Sequence, residues 1–279
     1  MKKACVIGWP ISQSRSPLIH NYWIQKHGID AIYEKTAVHP DDIPSFVCTF
    51  QNAGLIGCNV TAPHKETVFE AVATVDKAAK RLGALNTLYI RDGNLCGTNT
   101  DGEGFLANLR QNHPSYKTRG GKVVVMGAGG AAKAIIGALI DGGTKKISVI
   151  NRTLSKIEAL QKQFGPVIEL DHAPDDIEKA IAQCDLFINT TSLGMSGQPP
   201  LEFNINSLSP HAIVSDIVYS PLETPLLKSA KLRGNPILGG LGMLLHQAVR
   251  GFELWFGVRP EVTPELYDLV AADVSKAQK

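Results

Sequence analysis

The sequence predicts an α/β protein of two domains, and three observations carry that expectation. Short β-branched runs alternate with stretches of helical period, and this happens twice along the 279 residues. A glycine-rich segment, "VVVMGAGGAAKAII", joins a strand-like run to a helix-like one at the head of the second series. Hydrophobic residues make up 44% of the chain, enough at this length to bury a sizeable core and to divide into two.

In the first series, "ACVIGWP" reads as a strand, "SPLIHNYWIQKHG" as a helix opened by Ser-Pro, and "AIYEKTAV" as a strand. "DDIPSFVCTFQNAG" then has helical period, and "LIGCNVTAP" is a buried strand that stops at proline. A further helix leads to "NTLYIRDGNLCGTNTD", where Asp92-Gly93 between two strand-like runs signals a hairpin. In the second series, "KVVVMG", "KISVINRT", "PVIEL", "DLFINTT" and "AIVSDIVY" alternate with helical segments of about ten residues, and mostly parallel sheets are expected. From Gly240 onward the chain is mainly helical. The boundary is expected near residues 102 to 105, where "GEGFLANLRQ" begins a linking helix, with a return crossing near 237 to 240. This gives a first domain of residues 1–103 completed by 240–279, and a second of 104–239.

Composition narrows the function classes. The 28 basic and 26 acidic residues are spread without runs of like charge, so neither a nucleic-acid face nor a membrane-surface patch is expected. The five cysteines lie far apart, without a CxxC pair or histidines at ligand spacing, so reduced, mostly buried thiols and no metal site are expected. "MKKACVIGWP" is too short in apolar residues for a signal peptide or a membrane helix, and a cytoplasmic location is expected.

The glycine-rich segment carries the first functional motif. Gly127-x-Gly129-x-x-Ala132 fits a dinucleotide fingerprint, with one glycine for the tight turn, one for approach of a pyrophosphate, and a small residue for helix–strand packing. The helix that follows offers unpaired N–H groups and a partial positive charge to phosphates. At the end of the next strand, where an NAD enzyme carries Asp or Glu, stands Asn151-Arg152-Thr153. A guanidinium there suits a 2′-phosphate and points to NADP. Thr153 is also read as a helix N-cap.

The remaining chemistry sits in the first series. Ser14 and Ser16 flank a helix start, where two hydroxyls and free N–H groups suit a small carboxylate, and Ser16 before Pro17 has the form of an N-cap. Asn59, Thr61 and Lys65 follow a buried strand, Asn86 lies in "GALNTLY", and Asp101 in "GTNTDGEGF". Taken singly, these are turn formers, a helix cap and a first-turn lysine. Taken together at strand exits, they read as a polyol site with one acid/base lysine.

These segments, with "NTTSLGM" from Asn189, "DIVYSPLETP" with Tyr219 and "GGLGMLLHQA" with Gln247, make the chain resemble the shikimate dehydrogenases from the first strand to the last helix. The resemblance implies reversible reduction of 3-dehydroshikimate with NADPH in aromatic amino acid biosynthesis. It implies that Ser14 and Ser16 hold the substrate carboxylate, that Asn59, Thr61, Asn86, Asp101, Tyr219 and Gln247 contact the substrate, and that Lys65 and Asp101 form the catalytic pair. Gly127, Ala128, Gly129, Gly130 and Ala131, then Asn151, Arg152, Thr153 and Lys156, would hold NADP, as would Thr190 and Met243, with Ile217 and Gly240 near its nicotinamide. A monomer or homodimer is expected, with the cleft between its domains closing on the ligands to exclude water. Three alternatives stand beside this reading: a dehydrogenase that also takes quinate, a non-catalytic NADP sensor, and a reductase of an aminoacyl or folate substrate.

Overall fold

The computed structural model describes residues 1–169 and 174–277, and the two series of strands form two separate six-stranded sheets. The first comprises β1 (Lys2–Gly8), α1 (Ser16–Lys26), β2 (Ala31–Ala37), α2 (Ile43–Thr49), β3 (Leu55–Val60), α3 (Lys65–Ala71), β4 (Thr74–Val75), α4 (Lys77–Leu82), β5 (Thr87–Arg91) and β6 (Asn94–Thr98). Helix α5 (Asp101–Asn112) follows. The second comprises β7 (Lys122–Met126), α6 (Gly130–Asp141), β8 (Lys146–Ile150), α7 (Leu154–Phe164), β9 (Ile168–Glu169), α8 (Pro174–Ala182), β10 (Leu186–Asn189), β11 (Ile213–Asp216), α9 (Pro225–Arg233) and β12 (Ile237–Gly239). Helices α10 (Gly240–Phe256) and α11 (Pro264–Lys276) close the chain. Leu170, the end of the expected "PVIEL" strand, lies outside the described residues.

The first sheet has the order β2-β1-β3-β5-β6-β4 and is mixed, with three parallel pairings and two antiparallel ones, both of them made by β5. Strands β1, β2 and β3 run parallel, but β5 is antiparallel to both β3 and β6. The reversal between β5 and β6 is local in origin. Asp92 (φ 50°) and Gly93 (φ 74°) both occupy the left-handed region that a two-residue hairpin turn of the right twist requires. Ile7, Val60, Leu85 and Leu88 pack with Ile43, Phe50 and Val68 into the core of this unit.

The second sheet is parallel throughout, in the order β12-β11-β10-β7-β8-β9. Its central strands β7 and β10 carry apolar residues on both faces because both faces are covered. Val123 and Val125 of β7 and Leu186 and Ile188 of β10 enter one core, while Val124 and Phe187 point into the opposite one. Strand β12 falls where only a return crossing was expected, since three residues give no readable period. Six strands ordered about a central switch between β7 and β10 are the doubly wound arrangement that binds dinucleotides.

The chain divides into two compact units, residues 1–104 with 245–270 and residues 105–244 with the chain from Ala271. All three divisions fall inside helices, after Gly104 in α5, after Leu244 in α10 and after Val270 in α11. Within the first unit α5 and α10 approach closely. A Cβ at Gly104 would lie 2.7 Å from the Gln247 backbone nitrogen, so only glycine lets α10 deliver Gln247 beside the start of α5. No helix among the described residues is long and apolar enough to cross a membrane.

Candidate active site

In the first unit, four chain segments bring their polar residues to one place. Lys65 opens α3, Asn86 immediately precedes β5, Asp101 opens α5, and Gln247 comes from α10. The Lys65 Nζ donates to Asp101 Oδ2 at 2.5 Å, and Asn86 Nδ2 donates to Asp101 Oδ1 at 2.8 Å. The lysine side chain is 33% exposed and the carboxylate 14%, so the pair is reachable by a small molecule yet partly withdrawn from water. Asn86 Nδ2 also faces Gln247 Oε1 at 3.4 Å.

The orientation of Asn86 is fixed by a group that can only donate. The Thr100 backbone N–H lies 2.9 Å from Asn86 Oδ1, so the amide oxygen must face it and the NH₂ must face Asp101. The Thr87 hydroxyl adds a second donor to the same oxygen at 3.0 Å, and Thr100 Oγ1 accepts from Asn86 Nδ2 at 3.0 Å. The Thr100 hydroxyl also reaches the Gln247 carbonyl at 2.8 Å, and Asn99 Oδ1 accepts the Asp101 N–H at 3.1 Å. Thr87, Asn99 and Thr100 are the residues that sequence reasoning missed. Their only signal was adjacency to Asn86 and Asp101 in "GALNT" and "TNTD".

Asn59 is placed differently from a ligand-facing residue. Its Oδ1 accepts the Tyr33 hydroxyl at 2.6 Å, and its Nδ2 donates to the Asn86 carbonyl and to Thr87 Oγ1 at 3.2 and 3.1 Å. The side chain is buried and its polar atoms are engaged within the protein. Beneath it, Tyr33 stacks on His20 at 4.2 Å, where burial pushes the imidazole down to about 3 and keeps it neutral. Thr61 stands at the β3 exit with its N–H on the Ile7 carbonyl (3.0 Å), next to the loop that carries Ser14 and Ser16 after β1.

That loop corrects the expected cap. Ser16 is the first residue of α1 and Arg15 holds the cap position, so the Ser16 hydroxyl cannot serve as N-cap. Instead Ser14 Oγ accepts the Ser16 N–H at 3.3 Å. Thr153 likewise occupies the cap position of α7 but makes no side-chain cap bond, and Asn151 Nδ2 donates to its carbonyl at 2.9 Å.

The second unit holds the glycine loop between β7 and α6. Gly127 adopts φ 108°, and a Cβ there would lie 2.5 Å from Thr190 Oγ1, so both backbone and space demand glycine. Thr190 is itself held by two bonds to the Met126 carbonyl, 2.7 and 2.8 Å from its Oγ1 and N. Gly129 and Gly130 differ. A Cβ at either would meet nothing within 4 Å, so the fold does not need them small and the open backbone at the head of α6 fits an incoming diphosphate. Ala128 is buried and Ala131 half-buried, and Ala132 packs fully into the core as the third small residue. Arg152 and Lys156 are exposed, and among the described residues neither side chain has an ion-pair partner. Two free cations past β8 fit an additional phosphate.

Beyond β11, the Ile217 N–H donates to the Asn189 carbonyl at 3.1 Å, and a Cβ at Gly240 would lie 2.1 Å from the Ile217 carbonyl oxygen. Tyr219 is half-buried on the same loop, and Met243 packs against the core from the first turn of α10. No group of three or more His, Cys, Asp or Glu suited to a metal occurs among the described residues, and all five cysteines are free.

Three family descriptions match consecutive parts of the chain. Residues 6–88 match the shikimate dehydrogenase substrate binding domain, residues 108–195 shikimate / quinate 5-dehydrogenase, and residues 240–264 the shikimate 5′-dehydrogenase C-terminal domain. A shikimate dehydrogenase (NADP(+)) from Methylocella silvestris is 49% identical over 275 residues, covering 99% of this chain and 98% of the relative. Shikimate 5-dehydrogenase from Thermus thermophilus, solved in complex with NADP(H) and shikimate, superposes with a TM-score of 0.86 at 31% identity, covering 98% of this chain and 100% of its own. Quinate dehydrogenase from Corynebacterium glutamicum, solved with NAD, gives 0.87 at 30% identity, covering 97% and 99%.

Proposed function

The chain belongs to the shikimate dehydrogenase family, and we propose that it interconverts 3-dehydroshikimate and shikimate with NADP(H) in aromatic amino acid biosynthesis. The observation that carries this reading is the Lys65–Asp101 pair, with Asn86 holding the second carboxylate oxygen.

NADPH, when bound, supplies a hydride to the ketone carbon. The protein must then deliver a proton to the ketone oxygen, and in the reverse direction remove one from the hydroxyl. Lys65 is assigned that transfer: an ammonium donates to the developing alkoxide, and Asp101 aims it. Stabilising charge where it develops is the larger share of such catalysis. Asp101 and Asn86 further take substrate hydroxyls, with Thr61, Gln247 and Tyr219 as additional contacts. Ser14 and Ser16 receive the carboxylate. Asn59 is proposed as a brace, since its bonds run to Tyr33, Asn86 and Thr87 and none reaches Lys65 or Asp101, whereas the Asn86 amide abuts Asp101 itself.

For the cofactor, Gly127 to Ala131 would hold the diphosphate and Asn151 to Lys156 the adenosine 2′-phosphate. Thr190, Ile217, Gly240 and Met243 would face the nicotinamide. The first unit would thus be the substrate and catalytic domain and the second the NADP domain. Steady-state rates with shikimate or quinate, each crossed with NADP or NAD, test the assignment. Shikimate with NADP is expected to be fastest; faster oxidation of quinate, or of shikimate with NAD, would overturn the substrate or the cofactor reading respectively.

A further inference from the structure

A buried carboxylate in the second unit has no part in the chemistry above. Asp216, the last residue of β11, is 1% exposed. Its hydrogen-bond partners are all neutral: Oδ1 accepts from Asn189 Nδ2 and the Val218 N–H, both at 3.0 Å, and Oδ2 accepts from the Thr224 hydroxyl at 2.7 Å. Burying a carboxylate beside neutral donors alone is costly, and burial pushes this one up to about 6. An apolar residue would suit the core better, so the carboxylate must serve the three segments it ties.

Those segments converge on one end of the cofactor site. Asn189 ends β10, and its Oδ1 accepts the N–H and hydroxyl of Thr191 at 3.1 and 2.7 Å, which shapes the loop carrying Thr190. The Val218 bond folds the turn that presents Ile217 and Tyr219. Thr224 is buried and caps α9 through the Leu227 N–H at 3.3 Å, which anchors the far end of the same loop. The Ile217 carbonyl, set by this turn, is the atom against which Gly240 is packed. None of these bonds reaches the glycine loop's open backbone or Arg152.

We propose that Asp216 is a positioning residue for the nicotinamide end of the cofactor site, acting through Ile217, Tyr219 and Thr190 and leaving the adenosine end untouched. The inference rests on the NADP assignment above. It separates two halves of one ligand, and a probe of each half tests it.

The experiment uses the full chain as wild type, Asp216→Asn and Asp216→Ala. Dissociation constants are measured for NADPH and for 2′,5′-ADP, which carries the adenosine 2′-phosphate but no nicotinamide, together with kcat and the KM for NADP. Asp216→Ala is expected to weaken NADPH about tenfold, the loss of roughly one charge-assisted bond's worth of order, and to lower kcat, with 2′,5′-ADP unchanged within about twofold. Asp216→Asn keeps an acceptor for Asn189 and Val218 and is expected between the two, and it carries the test where the alanine variant does not fold. Equal weakening of NADPH and 2′,5′-ADP, or unchanged NADPH and kcat with only a lower melting temperature, would overturn the proposal. A wild-type protein that binds neither probe would instead overturn the NADP reading on which it rests.

Discussion

Asp101 is shared between two donors, with Lys65 Nζ on Oδ2 at 2.5 Å and Asn86 Nδ2 on Oδ1 at 2.8 Å. Rotation of the carboxylate would therefore break its bonds to the lysine and to Asn86 together. Such a pair behaves as one unit, and its members are not expected to add.

Lys65→Met is accordingly expected to lower kcat by about 10² to 10⁴, the usual share of one acid/base group. NADPH affinity should be retained, because the residues assigned to that cofactor lie in the second unit. Asp101→Asn should lower kcat and raise the KM for shikimate together, since Asp101 both aims the lysine and takes a hydroxyl. The double variant should be little worse than Lys65→Met alone. Turnover of all three variants, with titrated dissociation constants for NADPH and shikimate, checks this; near wild-type turnover in Lys65→Met would remove the lysine from proton transfer.

The structure reverses which serine supports the fold. Ser14 Oγ accepts the first N–H of α1 whereas Ser16 caps nothing, so Ser14→Ala should lose about 1 kcal/mol of stability and Ser16→Ala should lose none through capping. Both should raise the KM for shikimate, by about 10- to 150-fold if each hydroxyl bonds a carboxylate at 1.5 to 3 kcal/mol. Denaturant melts separate the two serines, and steady-state kinetics tests their shared role. An unchanged KM in Ser16→Ala would leave the carboxylate to Ser14 alone.

What the sequence made legible was whatever a short segment encodes by itself. Asp92-Gly93 announces its hairpin because only residues tolerant of positive φ make that turn, and Gly127 announces its loop for the same reason. Lys65 and Asp101 stood out only in company, because polar residues gathered at strand exits lie where open α/β sheets bind their ligands. What stayed hidden depends on partners distant in the chain. Asn59 looked like a ligand until its bonds to Tyr33 and Thr87, 26 and 28 residues away, came into view. Ser16 and Thr153 have the composition of caps, but the backbone puts Arg15 at one cap position and leaves the Thr153 hydroxyl unused at the other. Asp216 reads as an ordinary strand-end acid, and only its burial against Asn189 and Thr224 reveals a tie among three segments.

Asp216 also carries a stability signature. Burial raises its carboxyl from 3.8 to about 6, so between those values the folded protein holds a proton that the unfolded chain has released. Stability from this group is therefore full below about pH 4, falls as pH rises to about 6, and is constant above. Two units correspond to about 3 kcal/mol as an order of magnitude. Asp216→Asn cannot titrate, so the difference in unfolding free energy between variant and wild type should grow in favour of the variant as pH rises from 4 to 6.5. Denaturant titrations at four or five pH values measure it, and parallel curves for the two proteins would show that the carboxyl does not titrate in that window.

Arg152 offers the test of cofactor choice. Its guanidinium is exposed at the end of β8 and has no ion-pair partner among the described residues, so removing it breaks no ion pair among them. Charge-assisted bonds to a 2′-phosphate at about 1.5 to 3 kcal/mol translate into NADPH binding weaker by about 10- to 150-fold. NADH lacks that phosphate and should bind as before, so the preference between the two narrows from one side only. Because the arginine is solvated, the effect should shrink as salt rises and the Debye length falls from about 10 Å at 0.1 M to about 3 Å at 1 M. Fluorescence titration of both dinucleotides at low and high salt reads all three expectations at once. Equal loss for NADPH and NADH would move Arg152 from the 2′-phosphate to the diphosphate they share, and the neighbouring Lys156, also exposed, would become the residue to replace next.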